Sequence, residues 1–156
     1  MKKTAKITVI ISIILALVTM LSIHVIAAEE TESLYVEGVG TFSYTVENNE
    51  ITIAKFEPEK TGLVIEIPSE YGGMKITKIG DNAFKNLNSN ALAKVVIPDS
   101  VTYIGKYAFS KKYDTVIILP ETLTYIDDYA FENCTNLKSI EISSSVKSIG
   151  RGAFCG

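Results

Sequence analysis

The second half of the chain repeats a fixed order of apolar and polar positions. An isoleucine is followed five residues later by the phenylalanine of an Ala-Phe pair, and this order occurs four times, 25, 22 and 23 residues apart. The four phenylalanines are Phe84, Phe109, Phe131 and Phe154. A second landmark, a proline or serine after an aliphatic residue, lies 11 residues before the phenylalanine in each of the last three units. Two landmarks that keep register indicate an internal repeat.

The alternating stretch before each proline predicts one short parallel strand per repeat. The residues predicted to point inward from these strands are Val95 and Ile97, Ile117 and Leu119, and Ile140 and Ile142. Pro98 and Pro120 end the strands because proline lacks the backbone N–H. The predicted structural core therefore comprises Phe84, Phe109, Phe131, Phe154, Ile97, Leu119 and Ile142. Since so short a unit cannot bury its own apolar side, the fold class predicted is a repeat solenoid of short strands joined by turns or short helical segments.

A different pattern precedes the repeats. Phe42, Tyr44 and Val46 alternate with polar residues, Ile51 and Ile53 do the same, and residues 47–50 between them favour a turn. This pattern predicts a β-hairpin over 42–61 that caps the N-terminal end of the solenoid. Residues 29–41 are predicted to form a flexible lead-in, and residues 62–156 the repeats, of which the last is incomplete.

Residues 1–28 have the organisation of a signal peptide. Lys2, Lys3 and Lys6 precede an apolar run over 7–21, and small residues end the segment at Ala27 and Ala28. The alternative is an uncleaved membrane anchor, because the apolar run is long enough to span a bilayer. Either interpretation predicts export, and hence a secreted or cell-surface location. This segment is the only predicted contact with a membrane.

Composition argues against most catalytic and nucleic-acid-binding functions. Three of the 15 basic residues and none of the 18 acidic ones precede residue 29, so the rest of the chain has a formal net charge of −6. This charge disfavours nucleic acid as a partner. The only histidine is His24, which excludes Ser-His-Asp and Cys-His catalysis and His-ligated metal from residues 29–156. We therefore expect no enzyme activity, no cofactor and no metal site.

The remaining acidic and cysteine residues favour structural roles. Residues 29–70 carry a net charge of −8, but scattered glutamates are typical of a solvated surface. Asp127 and Asp128 are adjacent in a repeat turn, where carboxylates commonly diverge rather than flank a cleft. Cys134 and Cys155 occupy different positions in their repeats, so we expect them not to form a disulfide.

The repeat resembles the BspA-like leucine-rich repeats of bacterial surface proteins. The residues that carry the resemblance are those of 137–142, 146–150 and Ala153-Phe154, the cysteine Cys134 shortly after an Ala-Phe pair, and the stretch 67–80, which is similar to that family's first repeat. The resemblance implies a right-handed solenoid outside the cell that adheres to host or neighbouring-cell proteins without catalysis. The chain departs from the family pattern at Asp127 in place of glycine, at Ser143 in place of proline, and at the turn 110–114, which lacks the usual cysteine and leucine.

Two sets of outward-facing residues are the candidate binding surfaces. Val96, Val116 and Ile118 form an apolar patch on the predicted sheet, although β-propensity or packing against a neighbouring copy would also explain it. The tyrosines form two pairs at equivalent repeat positions, Tyr103 with Tyr125 and Tyr107 with Tyr129, which stacking should place about 5 Å apart. Tyrosine is favoured in binding surfaces, but a ladder that only stabilises the stack is the alternative.

The sequence thus predicts a non-catalytic protein that binds an extracellular or surface protein. One alternative is a repeat display module of a longer surface enzyme whose catalytic domain lies beyond residue 156. Another is a purely structural stalk. Because the chain stops just after the fourth Ala-Phe pair, we expect it to be part of a longer protein.

Overall fold

The computed structural model describes residues 31–88, 90–135, 137 and 141–156; the predicted signal peptide and Ile140 lie outside this range. The described residues form eleven strands and no helix. The strands are β1 (Glu32–Val36), β2 (Gly40–Glu47), β3 (Glu50–Pro58), β4 (Leu63–Glu66), β5 (Glu70–Tyr71), β6 (Met74–Ile79), β7 (Leu92–Val96), β8 (Tyr103–Ile104), β9 (Val116–Ile118), β10 (Tyr125–Ile126) and β11 (Ser148–Ile149).

The first three strands form an antiparallel unit that contains the predicted hairpin. β2 and β3 are joined by Asn48 and Asn49, whose φ angles are 52° and 64°. Positive φ angles at both residues are typical of a two-residue hairpin turn, because they match the twist of the strands. The predicted flexible lead-in is wrong over its central part, because residues 32–36 form β1 and pair with β2. Gly38 has a φ of 75° and permits the tight reversal between them. The Tyr44 hydroxyl also donates to the Glu32 carboxylate, 2.7 Å away.

The first three repeats each contribute strands to two sheets rather than to one, and the described part of the last repeat contributes β11 to sheet A. Sheet A has the order β1-β2-β3-β6-β8-β10-β11, with β5 paired to β6, and is parallel from β3 to β11 along this order. Sheet B consists of the parallel strands β4-β7-β9, which are the predicted strands before the proline landmarks. The second strand of each repeat was not predicted, since β8, β10 and β11 are only two residues long and show no alternation.

A ladder of phenylalanine rings runs through the core along the solenoid axis. Successive ring centroids from Phe84 through Phe109 and Phe131 to Phe154 are 4.8, 5.5 and 5.2 Å apart, with the ring planes within 13° of parallel. The ladder continues into the antiparallel unit, because Phe56 lies 5.4 Å from Phe84 and Phe42 lies 4.6 Å from Phe56. The antiparallel unit therefore shares the core of the repeats.

The burial of the predicted core residues depends on the position of their repeat in the stack. We call each turn of the solenoid, which is one repeat, a rung. Val95, Ile97 and Ile117 are buried, and Leu119 is half-buried. Ile142 is 42% exposed, which contradicts its predicted place in the core. It lies on the outermost rung of the described stack, where only one side has a neighbouring rung to cover it.

Candidate binding surfaces

The outer face of sheet B exposes four aliphatic side chains, which we call the sheet B patch: Val64, Val96, Val116 and Ile118. Val64, Val116 and Ile118 are 64%, 50% and 43% exposed, and Val96 is half-buried. Three of the four, Val96, Val116 and Ile118, were predicted from the sequence to form a patch. The parallel register of the strands places Val64, from the preceding repeat, beside them. The structure thus brings the predicted apolar residues together on neighbouring strands.

One charged residue lies within the sheet B patch and another lies beside it. Parallel register places Lys94 between Val64 and Val116, and Glu66 beside Val96. Parallel sheets are normally covered on both faces, whereas no described residue covers this one. An apolar centre with charged neighbours is typical of a surface that contacts another molecule.

The first tyrosine pair lies on the outer face of sheet A. The rings of Tyr103 and Tyr125 are stacked, with centroids 5.1 Å apart and planes within 8°. The Tyr103 hydroxyl donates to the Asp127 carboxylate at 2.7 Å. Burial and this hydrogen bond to a carboxylate raise the pKa of Tyr103 well above its ordinary value. Tyr103 is therefore held in one orientation, while Tyr125 remains 36% exposed.

The second tyrosine pair lies in the repeat turns, and both of its outer ring faces are covered. The rings of Tyr107 and Tyr129 are stacked at 5.2 Å. The Lys85 ammonium lies 4.0 Å from the centroid of the Tyr107 ring. On the other side, a Cβ at Gly152 would lie 2.6 Å from Tyr129, so the backbone there lies against the ring. Because neither ring has a free face, this ladder lacks the open aromatic surface that stacking on a ligand needs.

The backbone at these turns adopts an uncommon conformation for tyrosine. Asn82, Tyr107, Tyr129 and Gly152 occupy one repeat position and have φ angles of 59°, 55°, 57° and 60°. Asparagine and glycine adopt this left-handed conformation readily, whereas a bulky residue does so at a cost. The two tyrosines thus combine a strained backbone with a stacked ring.

Asp127 replaces the glycine of the repeat at a position where space is limited. At the equivalent Gly105, a Cβ would lie 2.8 Å from the backbone nitrogen of Asp81 on the preceding rung. The Asp127 carboxylate accepts hydrogen bonds from the Tyr103 hydroxyl and from the backbone N–H of Asp128. The Asp128 carboxylate instead accepts from the backbone N–H of Arg151, 2.7 Å away. The adjacent carboxylates therefore make separate structural bonds.

The turn that departs from the family pattern buries a lysine. Lys112 stands three residues after Phe109, where Cys134 stands after Phe131, and is only 1% exposed. Its ammonium donates to the backbone carbonyls of Lys85 and Leu87, each 3.2 Å away. Burial lowers the pKa of Lys112. Sequence reasoning missed this residue, although its shared position with Cys134 was visible as a signal.

The two cysteines are free, as expected. Cys134 is buried, and its thiol lies 3.0 Å from the carbonyl oxygen of Phe109. Burial raises the pKa of this thiol, against the opposing effect of Lys112 beside it. Cys155 is exposed. Cys134 therefore behaves as a small core residue with weak hydrogen bonds.

Among the described residues, no three His, Cys, Asp or Glu side chains converge in a way that could hold a metal ion. The same residues include no helix of the length and apolar character needed to cross a membrane.

Several solved structures have the same fold. A leucine-rich repeat protein of T. pallidum is 26% identical with a TM-score of 0.63, and the match covers 73% of this chain and 64% of that one. A leucine-rich repeat protein of Bacteroides ovatus is 28% identical with a TM-score of 0.65, covering 78% of this chain and 33% of that one. A leucine-rich repeat protein of Bacteroides capillosus is 26% identical with a TM-score of 0.61, covering 75% and 86%. The chain thus spans less than two thirds of the first two proteins.

The comparison with protein families agrees with the repeat seen in the structure. The family model described as BspA type Leucine rich repeat region matches residues 64–156 in six copies. The comparison with curated proteins gives no match. Since the matched region includes both sheets of the repeats and the phenylalanine ladder, the chain belongs to the BspA-type leucine-rich repeat family.

Proposed function

We propose that this chain is an exported, non-catalytic adhesion module that binds a host or neighbouring-cell protein through the sheet B patch. The family is one of protein-interaction repeats, which supports binding rather than chemistry. The observation that carries the proposal is the uncovered apolar outer face of a parallel sheet.

The position of the patch on the outer face of a sheet suits a protein surface better than a small molecule. Val64, Val116 and Ile118 lie on the two strands that flank β7. Small-molecule sites are concave, whereas protein interfaces are broad, with an apolar centre and a polar rim. Glu66 beside Val96 supplies a charge for such a rim, and Lys94 lies within the patch between Val64 and Val116.

Serine substitutions in the patch test this proposal. We expect the triple variant Val64→Ser, Val116→Ser and Ile118→Ser to bind an immobilised panel of extracellular-matrix proteins at least tenfold more weakly than the unmodified chain, because it loses the apolar contact area. Its unfolding free energy should change little, since exposed substitutions away from the core rarely alter stability. Surface plasmon resonance and urea unfolding give the two readouts.

Ile149→Ser provides the matched control, because Ile149 is also an exposed aliphatic residue on a strand but belongs to sheet A. It should retain binding to whichever matrix protein the unmodified chain selects. Equal binding by the triple variant and the control would refute the role of the patch. Export is tested separately by fractionating the cells that produce the protein and locating the chain with an antibody. Recovery from the cytoplasm alone would refute that part of the proposal.

A further inference from the structure

Sheet B ends at β4, whereas sheet A continues past the first repeat. In sheet A, the strands β1, β2 and β3 precede that repeat, and β3 pairs with its strand β6. In sheet B, the first repeat contributes β4, which among the described residues pairs with β7 alone. The antiparallel unit therefore covers the N-terminal edge of sheet A and leaves the edge strand of sheet B without a neighbouring strand.

The backbone groups of Val64 and Glu66 point to this open edge. On the opposite side of β4, the N–H groups of Leu63 and Ile67 donate to carbonyls of the next repeat, at 3.0 Å each. Successive residues of a strand direct their N–H and C=O groups to opposite sides, so those of Val64 and Glu66 point away from β7. No described residue forms a hydrogen bond with these four backbone groups.

The edge strand has little to prevent another strand from pairing with it. Lysine, proline or a bulge commonly protects a free edge. β4 contains neither lysine nor proline, and the register shift beside it places the extra residue, Ala93, on β7. Val64 is 64% exposed, more than any other large hydrophobic residue that the structure describes. Free backbone groups beside an exposed apolar side chain favour the addition of an extended segment.

The antiparallel unit provides an apolar surface beyond β4. Leu34, Val36 and Val39 are half-buried and pack against the core. Because both sheets share this core, a strand added to β4 would direct its inward side chains toward these residues. One extended segment fits this position better than a second copy of the chain, since a second solenoid has two layers and one of them would meet the antiparallel unit.

The charge at the edge favours a basic segment. Glu66 is the one charged residue of β4, and no described lysine or arginine nitrogen lies within 4 Å of its carboxylate. Lys94 lies on β7, on the side of Val64 away from the edge, and Lys60 precedes the other end of β4. A lysine or arginine on an added strand would pair with Glu66, whereas an acidic residue there would be repelled.

We propose that an extended basic segment of a protein partner adds to sheet B as a strand beside β4, hydrogen-bonded to the backbone of Val64 and Glu66. The outward side chains of this segment extend the sheet B patch, with a lysine or arginine beside Glu66. The inference deepens the proposed function and rests on it for the kind of partner. It adds main-chain pairing to the side-chain contacts of the patch.

Amide hydrogen exchange measured by NMR tests the edge with the synthetic peptide Lys-Val-Thr-Val-Lys-Val-Thr. Lysine and threonine alternate on one face of this peptide, so a lysine can lie beside Glu66 in either strand direction. The amides of Val64 and Glu66 should exchange rapidly in the free full chain and about tenfold more slowly with saturating peptide, because they then donate to the added strand. The amides of Leu63 and Ile67 should exchange slowly in both states.

Two outcomes of this measurement would overturn the proposal. Slow exchange at Val64 and Glu66 in the free chain would mean that a second copy or another part of this chain already occupies the edge. Unchanged exchange at saturating peptide would mean that the peptide does not pair with β4. Both outcomes are read on the unmodified chain, so they do not depend on the folding of a variant.

Two substitutions at Val64 separate the backbone from the side chain. Val64→Pro removes one edge N–H at a position where proline is compatible with a strand, so the variant should bind the peptide about fivefold more weakly. Val64→Thr keeps the N–H and the branched shape, and it should bind as the unmodified chain does. Glu-Val-Thr-Val-Glu-Val-Thr should bind more weakly than the lysine peptide because Glu66 repels it.

Equal binding of the lysine peptide by Val64→Pro and Val64→Thr would contradict the added strand. The matrix protein selected by the unmodified chain distinguishes this failure from that of the proposed function. If the serine triple variant loses that protein and Val64→Pro keeps it, the sheet B patch binds the partner without an added strand. If the triple variant keeps it, the role of the patch is refuted instead.

Discussion

The phenylalanine ladder and the two tyrosine ladders have nearly the same geometry but different surroundings. Ring centroids of the repeat phenylalanines are 4.8–5.5 Å apart, and those of the tyrosine pairs are 5.1 and 5.2 Å apart. Phe84, Phe109 and Phe131 are buried, whereas Tyr125 is exposed. The regular spacing of the repeats is therefore enough to stack equivalent rings. Stacking by itself does not show how much a ladder contributes to stability.

Burial and backbone conformation separate the contributions of the ladders. A buried phenylalanine stabilises the fold in two ways: its ring stacks, and its whole side chain is removed from water. Tyr107 and Tyr129 gain from stacking while their positive φ angles cost energy. We therefore expect the phenylalanine ladder to determine the stability of the solenoid and the tyrosine ladders to modify it.

The largest expected effect comes from removing one rung of the phenylalanine ladder. Phe109→Ala should lower the free energy of unfolding by about 3–5 kcal/mol, because it leaves a cavity between two buried rings. Urea unfolding followed by circular dichroism measures the change. Phe109→Leu, which keeps most of the apolar volume, should cost clearly less. A loss below about 1 kcal/mol for the alanine variant would show that burial does not distinguish the ladders as argued.

A smaller effect is expected from the strained tyrosines. Tyr107→Asn loses ring stacking and the contact with Lys85 but relieves the left-handed backbone, so its stability should stay within about 1 kcal/mol of the unmodified chain. Tyr107→Val loses the same contacts and puts a β-branched residue at positive φ, so it should be clearly less stable than the asparagine variant. Thermal unfolding of both variants gives the comparison. Equal stabilities would mean that the backbone at Tyr107 is not strained.

The periodic part of the fold could be predicted from the sequence because each repeat is anchored by large residues. The spacing of Phe84, Phe109 and Phe131 places their rings in one column, and the structure has that column. The hairpin could also be predicted, since alternation on both sides of a turn is a local signal. The tyrosine pairs followed from the same register.

The rest could not be predicted because it depends on neighbouring rungs. A strand of two residues, such as β10, exists only through its pairing with the strands beside it. In β1, only Leu34 and Val36 are half-buried, and they alternate with exposed residues. So short an alternation does not distinguish a strand from a flexible segment in the sequence. The burial of Lys112 depends on the carbonyls of Lys85 and Leu87 on the preceding rung.

The smallest expected effect concerns Tyr103, and it appears only at alkaline pH. Folding raises the pKa of this phenol above its ordinary value of about 10. The folded chain therefore keeps the proton where the unfolded chain loses it, so stability is complete below about pH 10 and falls as the pH rises above that value. Tyr103→Phe removes this titration, and its stability should fall less steeply than that of the unmodified chain as the pH rises.

The stability of Tyr103→Phe is measured at neutral and at alkaline pH, with Tyr125→Phe as the control. At neutral pH, Tyr103→Phe should be about 1 kcal/mol less stable, because it loses the hydrogen bond to Asp127. At about pH 11 that difference should shrink, because the unmodified chain has lost part of its own advantage. Tyr125→Phe keeps the stacked ring pair and the bond between Tyr103 and Asp127, so it should retain the steep alkaline loss. Because Tyr44 also has a raised pKa through burial and Glu32, some alkaline loss remains in every variant. Identical pH dependence in Tyr103→Phe and the unmodified chain would contradict a raised pKa of Tyr103 in the folded chain.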